Sequence, residues 1–308
     1  LDVFKFFRSY TVRKPEFINL LIHWIMIGSY IKTSGRSIVR NKLFSAINII
    51  GLAVSMSVGL LVISLLTDLH SYDDFHVQKS NIYRIITQDQ HAGQESRNLA
   101  STSVKVGKLI RESISGIEDV TIIRRRFTGD AEVGQNKVPF EALWADESFF
   151  NVFTFPLVQG HAPSALKEPY SVVLTETYAK KLFGGSDALG KSIKFDTLNY
   201  VVTGVMKDVP RLSHMRFNAL VSFSTAELHP SDGDGNFLDW GNIYSNYVYL
   251  VIPETKDLRS LQAGLDRLSQ EENAGLVNRK VTVSLQPLSK IVLGPNLGNP
   301  IGPFINSI

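Results

Sequence analysis

The chain has 308 residues, 44% of them hydrophobic and 20% charged, with no cysteine and a formal net charge of +3. Without thiols it has no disulfides, no thiolate catalysis and no Cys-based zinc site. The small net charge sits largely in one basic run near the N-terminus and calls for no nucleic acid. What remains is enough apolar sequence for one large or two medium cores held by packing alone.

Residues 1–25 read as an N-terminal extension, because the chain opens on leucine and Met26 is the more natural beginning. The apolar stretch 17–31 contains Asn19 and His23 and is too short and too polar to span a membrane; it reads as interfacial. Residues 26–43 read as a cytoplasmic basic amphipathic helix, in which Tyr30, Ile31, Ile38 and Leu43 alternate with Lys32, Arg36, Arg40 and Lys42. That is the pattern of a helix lying on an anionic inner leaflet.

Residues 44–66, FSAINIIGLAVSMSVGLLVISLL, carry no charge. A helix needs roughly 20 apolar residues to cross a ~30 Å hydrocarbon core, so this stretch reads as a transmembrane helix. Lys32, Arg36, Arg40 and Lys42 precede it and Asp68, Asp73 and Asp74 follow, which puts the N-terminus in the cytoplasm and everything after about Thr67 outside. Gly51, Ser55 and Gly59 share one helix face with Asn48 close by, a small-residue stripe suited to a neighbouring helix, and the amide would need a partner in lipid.

The outer domain, residues 67–292, begins with HSYDDFHVQKSNIYRIIT, a helical end followed by a β-rich run over 82–87. A helix is expected over 101–113 and a strand with a basic edge, Arg124 to Arg126, over 119–127. Alternation at Ala131, Val133, Val138 and Phe140 gives a hairpin turning near Gly134-Gln135-Asn136, and a short aromatic helix follows over 147–153. Beyond it come a strand over 171–174, a helix capped at Thr175 and ending at Gly184-Gly185, and a strand pair within 191–207. Strands over 217–223 and 246–252, a helix over 255–272 and a last strand over 280–288 complete a mixed α+β domain. Residues 293–308, rich in Gly, Pro and Asn, read as a linker.

Several patterns mimic chemistry. GSDALGKS at 185–192 satisfies GxxxxGK[ST], yet a phosphate loop follows a strand and opens a helix, whereas here a helix precedes and a strand follows. It reads as a helix-to-strand turn, with no nucleotide or other cofactor. Asp232, Asp234 and Asn236 begin like a calcium loop, but Phe237 and Ile243 stand where Gly and a bidentate Glu are required. His70, His76, Asp73 and Asp74 offer metal-ligand types, but Tyr72 and Phe75 among them point to a helix end settling on a core. There is no GxSxG and the histidines are scattered singly, so nothing marks a nucleophile and the chain reads as non-enzymatic.

Taken jointly, RNKLFSAINIIGLAVSMSVGLLV (40–62), SYDDFHVQKSNIYRI (71–85), ADESFFNVFTFPLVQGHAPSALKEPYSVVLTETYAKKLFGGSDALGKSI (145–193), VVTGVMKDVPRLSHMRFNALVSF (201–223) and WGNIYSNYVYLVI (240–252) resemble the permease subunits of ABC transporters of the MacB/FtsX type. The resemblance implies a first membrane helix, a large periplasmic domain (the MacB-like core domain) and three further membrane helices; this chain, ending before the second helix, is expected to be a truncated member. It also implies a dimer of permeases, homo- or heteromeric, in the cell inner membrane. Each would pair with a separate cytoplasmic ATP-binding subunit whose hydrolysis moves the periplasmic domain for export or efflux, or to regulate a periplasmic partner. The alternative is a membrane-tethered periplasmic binding or sensing domain that needs no ATPase.

Overall fold

The computed structural model describes residues 16–134, 136–184, 187–229 and 238–302. The chain divides into two compact units, Leu1–Leu66 and Thr67–Ile308. The first holds α1 (Glu16–Arg40) and most of α2 (Lys42–His70), whose last turn belongs to the second unit. Helical hydrogen bonding carries across Asn41, from Asn41 N–H to Ser37 O and from Ser45 N–H to Asn41 O. α1 starts well before the 26–43 expected of the amphipathic helix. The physical reason is local: EFINLLIHWIMI contains neither proline nor glycine to stop a helix ahead of Gly28.

α2 has 29 residues, none of them buried, and at 1.5 Å per residue reaches about 43 Å. Leu43 is 78% exposed and Leu61 67%. A continuous apolar surface of this size is what water punishes and hydrocarbon accepts, while the helical backbone satisfies its own polar groups.

The second unit contains β1 (Ile82–His91), β2 (Arg97–Leu99), α3 (Val104–Ser113), β3 (Asp119–Val133), β4 (Asn136–Ala145), α4 (Phe149–Val152), β5 (Leu157–Gly160), β6 (Ser171–Thr175), α5 (Glu176–Phe183), β7 (Ser192–Phe195), β8 (Leu198–Met206), β9 (Ala219–Ser222), α6 (Phe223–Leu228), β10 (Asn246–Val251), α7 (Leu258–Asn273), β11 (Arg279–Pro287) and α8 (Lys290–Leu293). Its strands form one sheet in the order β11-β1-β10-β3-β4-β9-β6-β8-β5, with β2 on β1 and β7 bridging β3 and β8. Most neighbours are antiparallel; β4 with β9 and β6 with β8 are parallel. This is the mixed α+β architecture expected.

Strand alternation sorts the core. In β10, Val248 and Leu250 face α3 and α7 with Ile122, Ile110, Leu261 and Leu265, whereas Tyr247, Tyr249 and Val251 face α4 with Ile123, Phe149 and Phe153. β10 is buried at all six positions because both its faces are covered. β3 serves two cores. Between Arg124 and Phe127 its register against β4 slips by one residue, and Arg126 takes φ 72°. Such a bulge bends and twists the strand, and beyond it Phe127 enters a separate aromatic core with Phe140, Phe195 and Tyr200.

That geometry corrects the basic edge. β3 lies between β10 and β4, so it has no edge there: Arg124 is buried, Arg125 half-buried and only Arg126 exposed. The strand expected over 217–223 is also shorter, because Phe223 opens α6 and turns its ring into the core. The hairpin forms as expected, with Val133 opposite Asn136 and Gly134 at φ 60°; Gln135 lies outside the described residues.

Candidate functional site

A buried polar cluster in the second unit forms where the chain leaves α2. Asp68, in the last turn of α2, accepts a hydrogen bond from Arg211 Nη2 at 2.9 Å. Asp73 follows with φ 61°, a left-handed conformation that Asp tolerates better than most residues. This turns its backbone N–H onto Leu212 O at 2.9 Å. Its carboxylate accepts from the His214 backbone N–H at 3.1 Å and lies 2.9 Å from His214 Nδ1. One aspartate therefore grips two residues of the 211–216 loop, Leu212 and His214.

Burial alone would push the Asp73 carboxyl up, but attraction and hydrogen bonds from His214, with a smaller contribution from His76, hold it below the ordinary carboxylate value. Burial pushes His76 down to about 4, against the pull of Asp73, so its ring is neutral near pH 7. His76 Nδ1 accepts the Thr154 N–H at 3.0 Å, which assigns the proton of the neutral ring to Nε2, facing Asp73 at 3.9 Å. The ring packs among Phe75, Phe153 and Phe155.

The cluster continues inward. His214 Nε2 and the Tyr249 hydroxyl are 2.9 Å apart, and burial pushes that phenol far above its usual value. Across the sheet Arg84 stands opposite Tyr249 on β10 and Gln286 on β11. Its Nη2 donates to Gln286 Oε1 at 2.6 Å, and Gln286 Nε2 donates to Lys290 O at 2.9 Å.

Residues 294–302 close the other side. Gly298 exchanges backbone bonds with Asn98 and Ala100. Asn299 accepts from Arg125 Nη2 at 3.2 Å through its side chain and from the Tyr247 hydroxyl at 3.0 Å through its carbonyl. A Cβ on Gly302 would run into the carbonyl oxygen of His214, so only glycine fits there. The 211–216 loop is thus held by Asp73 on one side and approached by Gly302 on the other. Beside the loop lies a cavity of about 80 Å³, lined by Arg84, Tyr72, Ser213, His214, Leu297 and Ile301 among others.

The residues singled out in the sequence fall elsewhere. Asn48, Gly51, Ser55 and Gly59 are exposed on α2, with nothing within 4 Å of a Cβ built on either glycine. Lys32, Arg36, Arg40 and Lys42 are exposed on α1 and the start of α2. The GxxxxGK[ST] stretch is a helix-to-strand connection: α5 precedes, Gly184 caps it at φ 68°, and β7 follows. Lys191 Nζ sits 5.1 Å from the centre of the Phe183 ring, and Gly185 and Ser186 lie outside the described residues. So do Asp232, Asp234 and Asn236. His76 does settle on the core, with Asp73 beside it. Arg84, His214, Tyr249 and Gln286 were not singled out; the available signal was a charge, Arg84, inside the apolar run IYRII.

A scan for known families matches residues 45–268 to the MacB-like periplasmic core domain. A solved domain described as part of a permease protein from Porphyromonas gingivalis superposes with a TM-score of 0.60 at 22% identity, covering 69% of this chain and 91% of that one. The periplasmic region of MacB from Actinobacillus actinomycetemcomitans aligns at 18% identity over 66% of this chain and 89% of that one, with a TM-score of 0.45. The extracellular domain of the noncanonic ABC-type transporter YknZ from Gram-positive bacteria aligns at 17% over 65% and 99%, with a TM-score of 0.43. No curated protein sequence matches significantly.

Proposed function

The chain belongs to the family of MacB-like periplasmic core domains and is an ABC transporter permease of the MacB/FtsX type, and from that premise we propose how it works. α2 crosses the membrane, α1 stays on the cytoplasmic side with Lys32, Arg36, Arg40 and Lys42 against the inner leaflet, and the unit from Thr67 onward stands in the periplasm. A separate cytoplasmic ATP-binding subunit hydrolyses ATP. Two permease subunits pair through the Gly51, Ser55, Gly59 and Asn48 face, and closure of the ATPase is passed along α2 to the periplasmic body for export or efflux.

The observation that carries this reading is the extent of the family match. It begins at residue 45, inside the uncharged stretch of α2, and runs to residue 268 in α7, so helix and body are matched as one piece. The Asp73 grip supports it, since a displacement of the last turn of α2 reaches the body through short hydrogen bonds to the 211–216 loop.

Two experiments test it. Purification from native membranes is expected to bring down a Walker-motif ATPase; the chain recovered alone would favour the tethered binding domain. Because the chain has no native cysteine, Ser96→Cys and Ser37→Cys can be labelled singly. An impermeant maleimide is expected to reach position 96 in spheroplasts and position 37 only after permeabilisation, and the reverse pattern would refute the orientation.

A further inference from the structure

We propose that the cavity beside Arg84 binds a small carboxylate bearing an apolar tail. Arg84 is 3% exposed, and β1 places it on the same face as Ile82, opposite Tyr249. A guanidinium taken out of water is costly unless it is paired, and it brings five N–H donors to satisfy. Here its acceptors are neutral oxygens, Gln286 Oε1 at 2.6 Å and the hydroxyl of Tyr249. Its Nε is buried without a hydrogen-bond partner, and among the described residues no carboxylate forms an ion pair with it. Asp73, the buried acid of the same cluster, is already bound by His214.

The cavity supplies the rest. At about 80 Å³ it far exceeds the ~10–15 Å³ that one water requires. Arg84, Ser213 and His214 contribute polar lining, and Ile291, Leu297 and Ile301 contribute apolar wall. A guanidinium fork matches a carboxylate in bidentate geometry, and the apolar wall selects a hydrocarbon tail over a bare phosphate. A short soluble acid and the head of a fatty acid share this chemistry. The proposal stands apart from the transport reading, because binding is measured without ATP or a partner.

The test uses the full chain in phosphatidylcholine nanodiscs, titrated calorimetrically with hexanoate, hexanol and inorganic phosphate. Hexanoate is expected to bind at least tenfold more tightly than the other two. Arg84→Gln is expected to weaken it at least tenfold. Gln286→Glu sets an internal carboxylate against Arg84, so it is expected to abolish hexanoate binding while the Tm stays level or rises, which keeps the test decisive even if Arg84→Gln does not fold. Hexanoate binding no tighter than hexanol, or unchanged in Gln286→Glu, overturns the proposal. Palmitate that displaces hexanoate supports the site with a lipid-derived occupant; palmitate that does not, while hexanoate binds, supports it with a soluble acid.

Discussion

Two buried regions of the body, an aromatic end around Phe127 and a polar end around Asp73, are stabilised by different physics. Around Phe127 the contacts are rings on rings: Phe140, Trp144, Phe195 and Tyr200 all meet it edge-on at centroid distances of 4.9–5.7 Å. Around Asp73 the buried groups are an acid, two histidines, a tyrosine and an arginine. Packing of the first kind loses stability in proportion to what is removed. A buried charged network contributes little net stability when complete and costs heavily when one member is lost. The second kind is found where the body's own segments 68–76, 211–216 and 294–302 meet.

The largest effect is expected at the aromatic end. Phe127→Ala should cost about 4 kcal/mol, equally at pH 7.5 and pH 5, in urea unfolding of the full chain in detergent; a pH-dependent loss would erase the contrast drawn above. Asp73→Ala should cost about 3 kcal/mol by leaving the His214 donors unmet, and should speed deuterium exchange in the 211–216 loop ahead of the Phe127 region. Uniform exchange across both would deny the joint its local role.

The pH dependence belongs to the polar end alone. His76 is held at about 4 in the folded state against 6.5 as its reference, so the folded chain refuses a proton that the unfolded chain takes up. Its neutral form is therefore fully tolerated above pH 6.5, and stability falls as pH drops from 6.5 toward 4. At 1.36 kcal/mol per pKa unit, about 2 kcal/mol of that loss falls between pH 6.5 and 5. His76→Asn keeps an acceptor for the Thr154 N–H and should flatten most of this slope; an unchanged slope would assign the titration to another group. Asp73, with its depressed pKa, adds its own loss only below about pH 4.

Two smaller effects calibrate the scale. Thr175→Ala removes the side-chain cap that accepts the Tyr178 N–H at 3.3 Å and should cost about 1 kcal/mol. Lys191→Ala should change stability by less than about 0.5 kcal/mol and leave retention on immobilised ATP at background, as the helix-to-strand order of its loop requires.

Local signals in the sequence placed most of these elements. Thr175 and Gly184 bracket α5 because cap chemistry is local, and the leucine spacing read as a helix does form α7, with Leu261, Leu265 and Leu268 in the core and Leu258 exposed. Strand order was not legible, since nothing local puts β1 between β10 and β11 or sets β9 parallel to β4. The arginines at 124–126 misread as an edge for that reason: exposure depends on what lies alongside, which comes from distant sequence. The polar cluster was half visible, as Asp73 and His76 stood out near α2, while His214 and Arg84 arrive from loops and strands that only the folded topology brings near.

The pairing of Arg84 with Gln286 spans 202 residues, and β1 finds both its long neighbours, β10 and β11, in the last part of the body. At about 5–20 residues per second of synthesis, the first strand therefore waits some tens of seconds with an open edge and an unburied arginine before its flanks exist. Closure of this sheet is a late, long-range event, and biogenesis of the protein must shield that waiting strand.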